Sequence, residues 1–165
     1  VYVEDKLFAT LDPVIRRVQL PDNRECMAVD TVGFIRKLPH ELVEAFQSTL
    51  EEALTADLIV VVSDASSPEY ARQRDTVFEV LESLGAAGKP TLEALNKCDA
   101  LSQDEIAVCL TALEAATEGE VLVLSGATKT GTRDVLRRLR EEIRTAREAD
   151  AAAAGPAASG WEPVA

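Results

Sequence analysis

The run Asp57-Leu-Ile-Val-Val-Val-Ser-Asp64 limits most tightly what this chain can become. Its apolar residues are consecutive rather than alternating, and four of them are β-branched. That pattern predicts a strand buried on both faces, as in the interior of a parallel sheet. Parallel strands need long crossovers, usually helical, and the following sequence supplies them. Ser66-Ser-Pro68 leads into a helix to about Leu84, with Val77, Val80, Leu81 and Leu84 inward and Gly85 and Gly88 ending it. Pro90 to Leu95 reads as the next strand, although Glu93 is an awkward residue for a buried one. Ser102 and Glu105 form a capping box for a helix to about Thr117. Val121 to Leu124 is a last strand, and Thr132 to about Glu148 a last helix.

Upstream, Ile15–Leu20 and Glu25–Asp30 read as two strands joined by a turn of composition Pro21-Asp-Asn-Arg24, hence a hairpin. Pro39 opens a helix with Leu42, Val43, Phe46, Leu50 and Leu54 on one side. A hairpin followed by strand–helix repeats is the pattern of an α/β fold, a mostly parallel sheet flanked by helices. Ligands in such sheets bind beyond the carboxyl ends of the strands. That places Asp30–Gly33, Asn96–Asp99 and Ser125–Ala127 on one rim.

At 165 residues the chain is long enough for one domain with a real core. A net charge of −12 argues against gripping DNA or other nucleic acid by an overall field. No apolar run reaches the length of a membrane span, and the polar start is no signal peptide. Cys26, Cys98 and Cys109 are scattered, which reads as reduced cytosolic thiols rather than a zinc or disulfide frame. Residues 149–165 are low in complexity and read as a disordered tail after a domain of residues 1–148.

Asp30-Thr-Val-Gly33 closes a strand with a carboxylate and places glycine three residues on. The Asp can reach a Mg²⁺ shell through water, and the Gly lets backbone N–H approach a phosphate. Alone, Asp-x-x-Gly is also an ordinary turn after a strand. Asn96-Lys-Cys-Asp99 follows the next-to-last strand. One carboxylate at Asp99 can accept both the ring N1–H and the exocyclic amine of guanine, a pair that adenine lacks. Lys97 can lay its methylene stem on the base, and Asn96 can tie neighbouring loops together. The bland alternative is an Asn-led turn with solvated Lys and Asp. In Ser125-Gly-Ala-Thr-Lys-Thr-Gly131, backbone N–H groups around Gly126 and Ala127 are placed to meet the guanine carbonyl; a plain strand-to-helix turn is the alternative.

In this order and spacing the elements resemble the translation-factor-related GTPases, and among them the HflX family. The likeness runs from Val1 to about Ala146 and rests chiefly on Leu7-Phe-Ala-Thr-Leu-Asp-Pro13 with Arg16-Arg17, and on Asp30-Thr-Val-Gly-Phe-Ile-Arg-Lys-Leu-Pro-His40. Asp64-Ala-Ser66, Asn96-Lys-Cys-Asp99 and Ser125-Gly-Ala127 support it. The resemblance implies a P-loop-GTPase-like fold and a cytoplasmic GTP- and GDP-binding, GTP-hydrolysing protein with Mg²⁺. It also implies association with the large ribosomal subunit, often under stress. It makes Thr10 the first-switch threonine, ligating Mg²⁺ along with Asp30. It sets Phe8, Ala9, Thr10, Leu11 and Asp12, with Asp30, Thr31, Val32 and Gly33, against the nucleotide. Asn96, Lys97, Asp99, Ser125, Gly126 and Ala127 would hold the base. No catalytic side chain is assigned. Phe34 stands where many GTPases carry a water-orienting glutamine, so hydrolysis should be slow until a partner completes the site.

The Gly-x-x-x-x-Gly-Lys-Ser/Thr phosphate loop of such GTPases is absent from these residues, as is the strand before it. The expectation is therefore the carboxyl portion of a GTPase domain, with two sheet edges left unpartnered and weak GTP binding by this polypeptide alone. The alternative function is a non-catalytic α/β interaction module that has lost its phosphate loop. An adenine-nucleotide enzyme is opposed by Asp99. Asp64 as a phospho-acceptor finds no supporting acidic pair. Arg133, Arg137, Arg140, Arg144 and Arg147 share a helix face that reads first as solvated and paired with Glu141 and Glu148, second as a partner contact.

Overall fold

A computed structural model describes residues 14–31, 52–117 and 119–153. The first element pair is the hairpin of β1 (Val14–Gln19) and β2 (Glu25–Asp30), antiparallel from Val14 opposite Asp30 to Gln19 opposite Glu25. Its turn closes through Leu20 N–H to the Arg24 carbonyl at 2.8 Å. Asn23 there adopts a left-handed φ of 63°, a conformation Asn tolerates better than most residues. Of the helix expected from Pro39, only its last turn, α1 (Glu52–Thr55), falls within the described residues.

The parallel core is β3 (Ile59–Asp64), β4 (Thr91–Asn96) and β5 (Val121–Val123), in the order β3-β4-β5. Helix α2 (Tyr70–Ser83) makes the first crossover and α3 (Gln103–Glu114) the second; α4 (Thr132–Ala153) follows β5. β4 is central, and Leu92 to Leu95 are all buried. Leu95 and Val121 pack with Ile106, Cys109 and Leu113 of α3. Val61 packs with Leu81 of α2 and with Ala86. This is the α/β fold, a parallel sheet flanked by helices, that the sequence pattern predicts.

Two expectations need correction. β3 is not buried on both faces: Val62 is 57% exposed and Val60 is exposed too. The physical reason is its position. Among the described strands it bonds to β4 alone, and the residues packed around Val61 cover only one of its faces. The hairpin stands as a two-stranded sheet of its own, with no ladder to the parallel one among the described residues, in keeping with the two unpartnered sheet edges expected from the sequence. Second, α4 runs on to Ala153, about a turn past Glu148, where the sequence pattern ends it. Ala151, Ala152 and Ala153 carry the highest helix propensity, and no breaker stands before Gly155.

Glu93 also finds its explanation. Arg74 of α2 meets it in a two-pronged ion pair, Nε to Oε2 at 2.6 Å and Nη2 to Oε1 at 2.7 Å. Both side chains are buried. Nη2 also donates to the Ala116 carbonyl at 3.1 Å, and the guanidinium stacks 4.3 Å from the Phe78 ring centroid. Glu93's hydrogen bonds push the Arg74 pKa up, against the opposing pull of burial. The capping box is present as read, with Glu105 accepting from Ser102 N–H at 2.8 Å.

Candidate functional site

The loops after β4 and β5 are locked together at the carboxyl edge of the sheet. Asn96, the last residue of β4, accepts at its side-chain oxygen from two backbone donors: Lys97 N–H at 2.8 Å and Gly126 N–H at 3.0 Å. Lys97 takes a left-handed φ of 64°, which turns the chain sharply into the short 3₁₀ turn Cys98–Ala100. Within that turn Asp99 is exposed, and the buried Ser125 donates its hydroxyl to Asp99 Oδ1 at 2.5 Å. Ser125 is held in turn by Thr128 N–H, 3.1 Å from its oxygen. Backbone bonds reinforce the lock: Leu124 N–H to the Leu95 carbonyl at 2.9 Å and Ser125 N–H to the Thr130 carbonyl at 2.9 Å. The carboxylate of Asp99 is thus held at Oδ1, with Oδ2 free of hydrogen bonds among the described residues.

The loop from Ser125 is shaped by Lys129 and Gly131, both with positive φ, and by the Thr128–Thr130 hydroxyl pair at 2.9 Å. Gly126 N–H, one of the donors expected near a base carbonyl, is engaged here by Asn96 Oδ1. Ala127 N–H has no partner among the described residues. Cys98 faces inward, its thiol 3.2 Å from the Leu95 carbonyl. Burial pushes its pKa up, so it is an inert packing thiol.

Lys97 reaches in a direction that its motif does not signal. Its ammonium lies 2.8 Å from Asp64 Oδ2 at the end of β3. Asp64 Oδ1 accepts from Ser66 N–H at 3.0 Å and from the Ser66 hydroxyl at 2.6 Å. Partial burial pulls the Asp64 pKa upward, but the hydrogen bonds from Lys97 and Ser66 outweigh it and hold the carboxyl below its usual value. The pair's contribution is therefore present above the ordinary carboxylate pKa of about 3.9 and fades as pH falls through the lowered one. The available signal was the register: Asp64 stands directly opposite Asn96.

Asp30 ends β2, exposed, with Thr31 half-buried after it. No hydrogen bond or ion pair among the described residues joins them to the base-side loops. Phe8, Ala9, Thr10, Leu11, Asp12, Val32, Gly33 and Phe34 lie outside the described residues. No cluster of three or more His, Cys, Asp or Glu suited to a metal occurs among the described residues. Asp30 still fits Mg²⁺, whose small, hard ion keeps several waters and takes only one or two protein oxygens beside phosphate.

No described helix is long and apolar enough to cross a membrane. On the basic face of α4, Arg137 pairs with Asp134 at 3.0 Å, Arg140 with Glu141 at 3.8 Å and Arg144 with Glu148 at 3.0 Å; Arg138, off that face, pairs with Glu142 at 2.6 Å.

The 50S ribosome-binding GTPase family model matches residues 1–97. GTPase HflX of Akkermansia muciniphila is 46% identical over 136 residues, 82% of this chain and 31% of the relative. GTPase HflX of Caldanaerobacter subterraneus subsp. tengcongensis is 56% identical over 100 residues, 61% of this chain and 23% of the relative. A crystal structure described as SsGBP in complex with GDP superposes with a TM-score of 0.70 at 30% identity, covering 81% of this chain and 43% of that one. The chain spans about a third or less of the curated relatives it matches. With these matches and the Asn96–Asp99 and Ser125–Ala127 loops brought together as described, the chain belongs to the HflX family of 50S ribosome-binding GTPases.

Proposed function

We propose that this chain supplies the base-recognising part of a guanine-nucleotide site in a GTP-hydrolysing protein that associates with the large ribosomal subunit in the cytoplasm. The observation that carries the reading is the Ser125–Asp99 bond, which fixes an exposed carboxylate against the loop that carries Ala127, whose N–H has no partner among the described residues. Asp99 then accepts guanine N1–H and the exocyclic amine, while Ala127 N–H donates to the base carbonyl. Adenine presents neither donor pair, and leaving the carboxylate unmatched is costly.

Asn96 holds the two loops at a fixed separation. Residues 1–148 form the GTPase portion in this reading and residues 149–165 a tail. Asp30 and the Thr10 hydroxyl would hold Mg²⁺, which when bound neutralises phosphate charge. Thr31, Val32 and Gly33, with Phe8, Ala9, Leu11 and Asp12, line the phosphate side. Phe34 has no group to orient a water, so the intrinsic hydrolysis rate is low until the ribosome completes the site. The GDP complex of the solved relative supports the nucleotide class. Membership of a 50S ribosome-binding GTPase family supports the ribosomal partner.

The test is nucleotide competition on the full-length gene product, parent against Asp99→Asn. The parent should prefer guanine over adenine nucleotides by at least about a hundredfold. In Asp99→Asn, guanine affinity should fall, while xanthine nucleotides gain, because the new amide donates to their C2 carbonyl. An unchanged guanine preference in the variant would sink the Asp99 reading, whereas no nucleotide binding by the parent at all would favour the non-catalytic interaction module.

A further inference from the structure

Asp64-Ala-Ser66 carries a sequence motif for which the nucleotide reading has no task. We infer that Asp64 is a positioning residue for the base site, acting through Lys97, and that Ser66 sets its orientation. The inference rests on the guanine-site reading above.

The geometry is specific. β3 and β4 end side by side, with Asp64 in register with Asn96 and Ala65 N–H bonded to the Asn96 carbonyl at 2.9 Å. Neighbouring strands lie about 4.8 Å apart. Lys97 leaves β4 in a left-handed turn, yet its ammonium returns to the neighbouring strand, 2.8 Å from Asp64 Oδ2. Its four-carbon stem therefore reaches across the carboxyl edge of the sheet, tethered at its end while still exposed along much of its length. Asp99 hangs from the same loop two residues on. The stem is then a pre-laid apolar floor next to the carboxylate that reads the base.

Asp64 itself is not free to rotate. Ser66 occupies Oδ1 with two donors and leaves Oδ2 for Lys97. A lysine stem held in advance loses less freedom when a base stacks on it, so binding is tighter. The Lys97 side chain is 58% exposed and that of Asp64 35%. An ion pair so exposed shifts affinity modestly, about two- to fivefold.

The experiment is a double-mutant cycle on the full-length gene product, with GDP affinity read by calorimetry. Asp64→Asn should weaken GDP about two- to fivefold while leaving the guanine-over-adenine ratio intact, since Asp99 is untouched. Lys97→Ala should weaken GDP by at least as much. In the Lys97→Ala background, Asp64→Asn should have no further effect. Ser66→Ala serves as a milder second variant should Asp64→Asn fold poorly; it should weaken GDP in the same direction, and again only when Lys97 is present. A loss that persists undiminished without Lys97 marks a merely structural role and overturns the inference. So does GDP affinity unchanged in both Asp64→Asn and Ser66→Ala. A parent protein with no guanine preference brings down the site reading itself, and this inference with it.

Discussion

Arg74 shows how much one side chain can decide. A carboxylate in the middle of a central strand is expensive to desolvate, and Glu93 is 5% exposed. The sequence announces that difficulty without its solution, because the partner lies 19 residues earlier on a helix whose apolar face is spelled by other residues. Helical periodicity points to Val77, Val80, Leu81 and Leu84 as inward; it does not flag an arginine among them. Only the crossover geometry brings the two together, with Ala116 and Phe78 completing the guanidinium's surroundings. Removing one partner leaves the other buried and unpaired. Arg74→Ala should therefore cost about 3–5 kcal/mol in urea unfolding. Replacing both, Arg74→Met with Glu93→Leu, should return most of that loss, because an apolar pair of similar volume carries no desolvation cost. Equal destabilisation by the single and the double variant would show that the pair contributes something beyond mutual compensation.

Between side chain and fold stands the connection from β5 to α4, which both shapes the base-side loop and starts the helix. The sequence Ser125-Gly-Ala-Thr-Lys-Thr-Gly131 was readable as a turn with a glycine at each end, but not the separate task of each glycine. Gly126 has room for a side chain, and its backbone N–H is what matters. Gly131 has φ +72°, and a Cβ there would fall on the Val123 carbonyl oxygen, well inside contact. Its own carbonyl accepts from Asp134 and Val135, the first intrahelical bonds of α4. Gly131→Ala should thus cost about 2–3 kcal/mol, from the left-handed backbone and the displaced strand end together. Gly85 provides the comparison: φ is +79° but nothing lies within 4 Å of a Cβ. Gly85→Ala should cost only the conformational part, about 1 kcal/mol. The two melting curves separate crowding from backbone strain, and Gly131→Ala alone should also loosen Asp99 and weaken GDP.

The pattern of strands and helices was legible because hydrophobic period, caps and turn residues agree along the chain. What the pattern could not tell is which strand edges are partnered, since a run of β-branched residues reads the same in the interior of a sheet and at its edge. In β3, Ile59 N–H bonds to the Pro90 carbonyl and Ala65 N–H to the Asn96 carbonyl. Donors alternate sides along a strand, so the N–H groups of Val60 and Val62 point away from β4, toward an edge with no partner among the described residues. The side chains of the same two valines are exposed. An unpaired edge with exposed valines is a template for another strand, and in a 165-residue polypeptide it is an aggregation hazard. If a preceding strand with its phosphate loop belongs to the working domain, as family membership leads us to propose, both the edge and the nucleotide site are completed by it. Comparing this polypeptide with the full-length gene product then gives linked outcomes. The Val60 and Val62 amides should exchange rapidly with deuterium in the short form and be protected in the long one. GTP affinity should rise at least about a thousandfold alongside, the equivalent of roughly three charge-assisted hydrogen bonds to phosphate. Fast exchange at Val60 and Val62 in both forms would mean that no strand docks there, and the hairpin and the parallel sheet would have to be regarded as separate units.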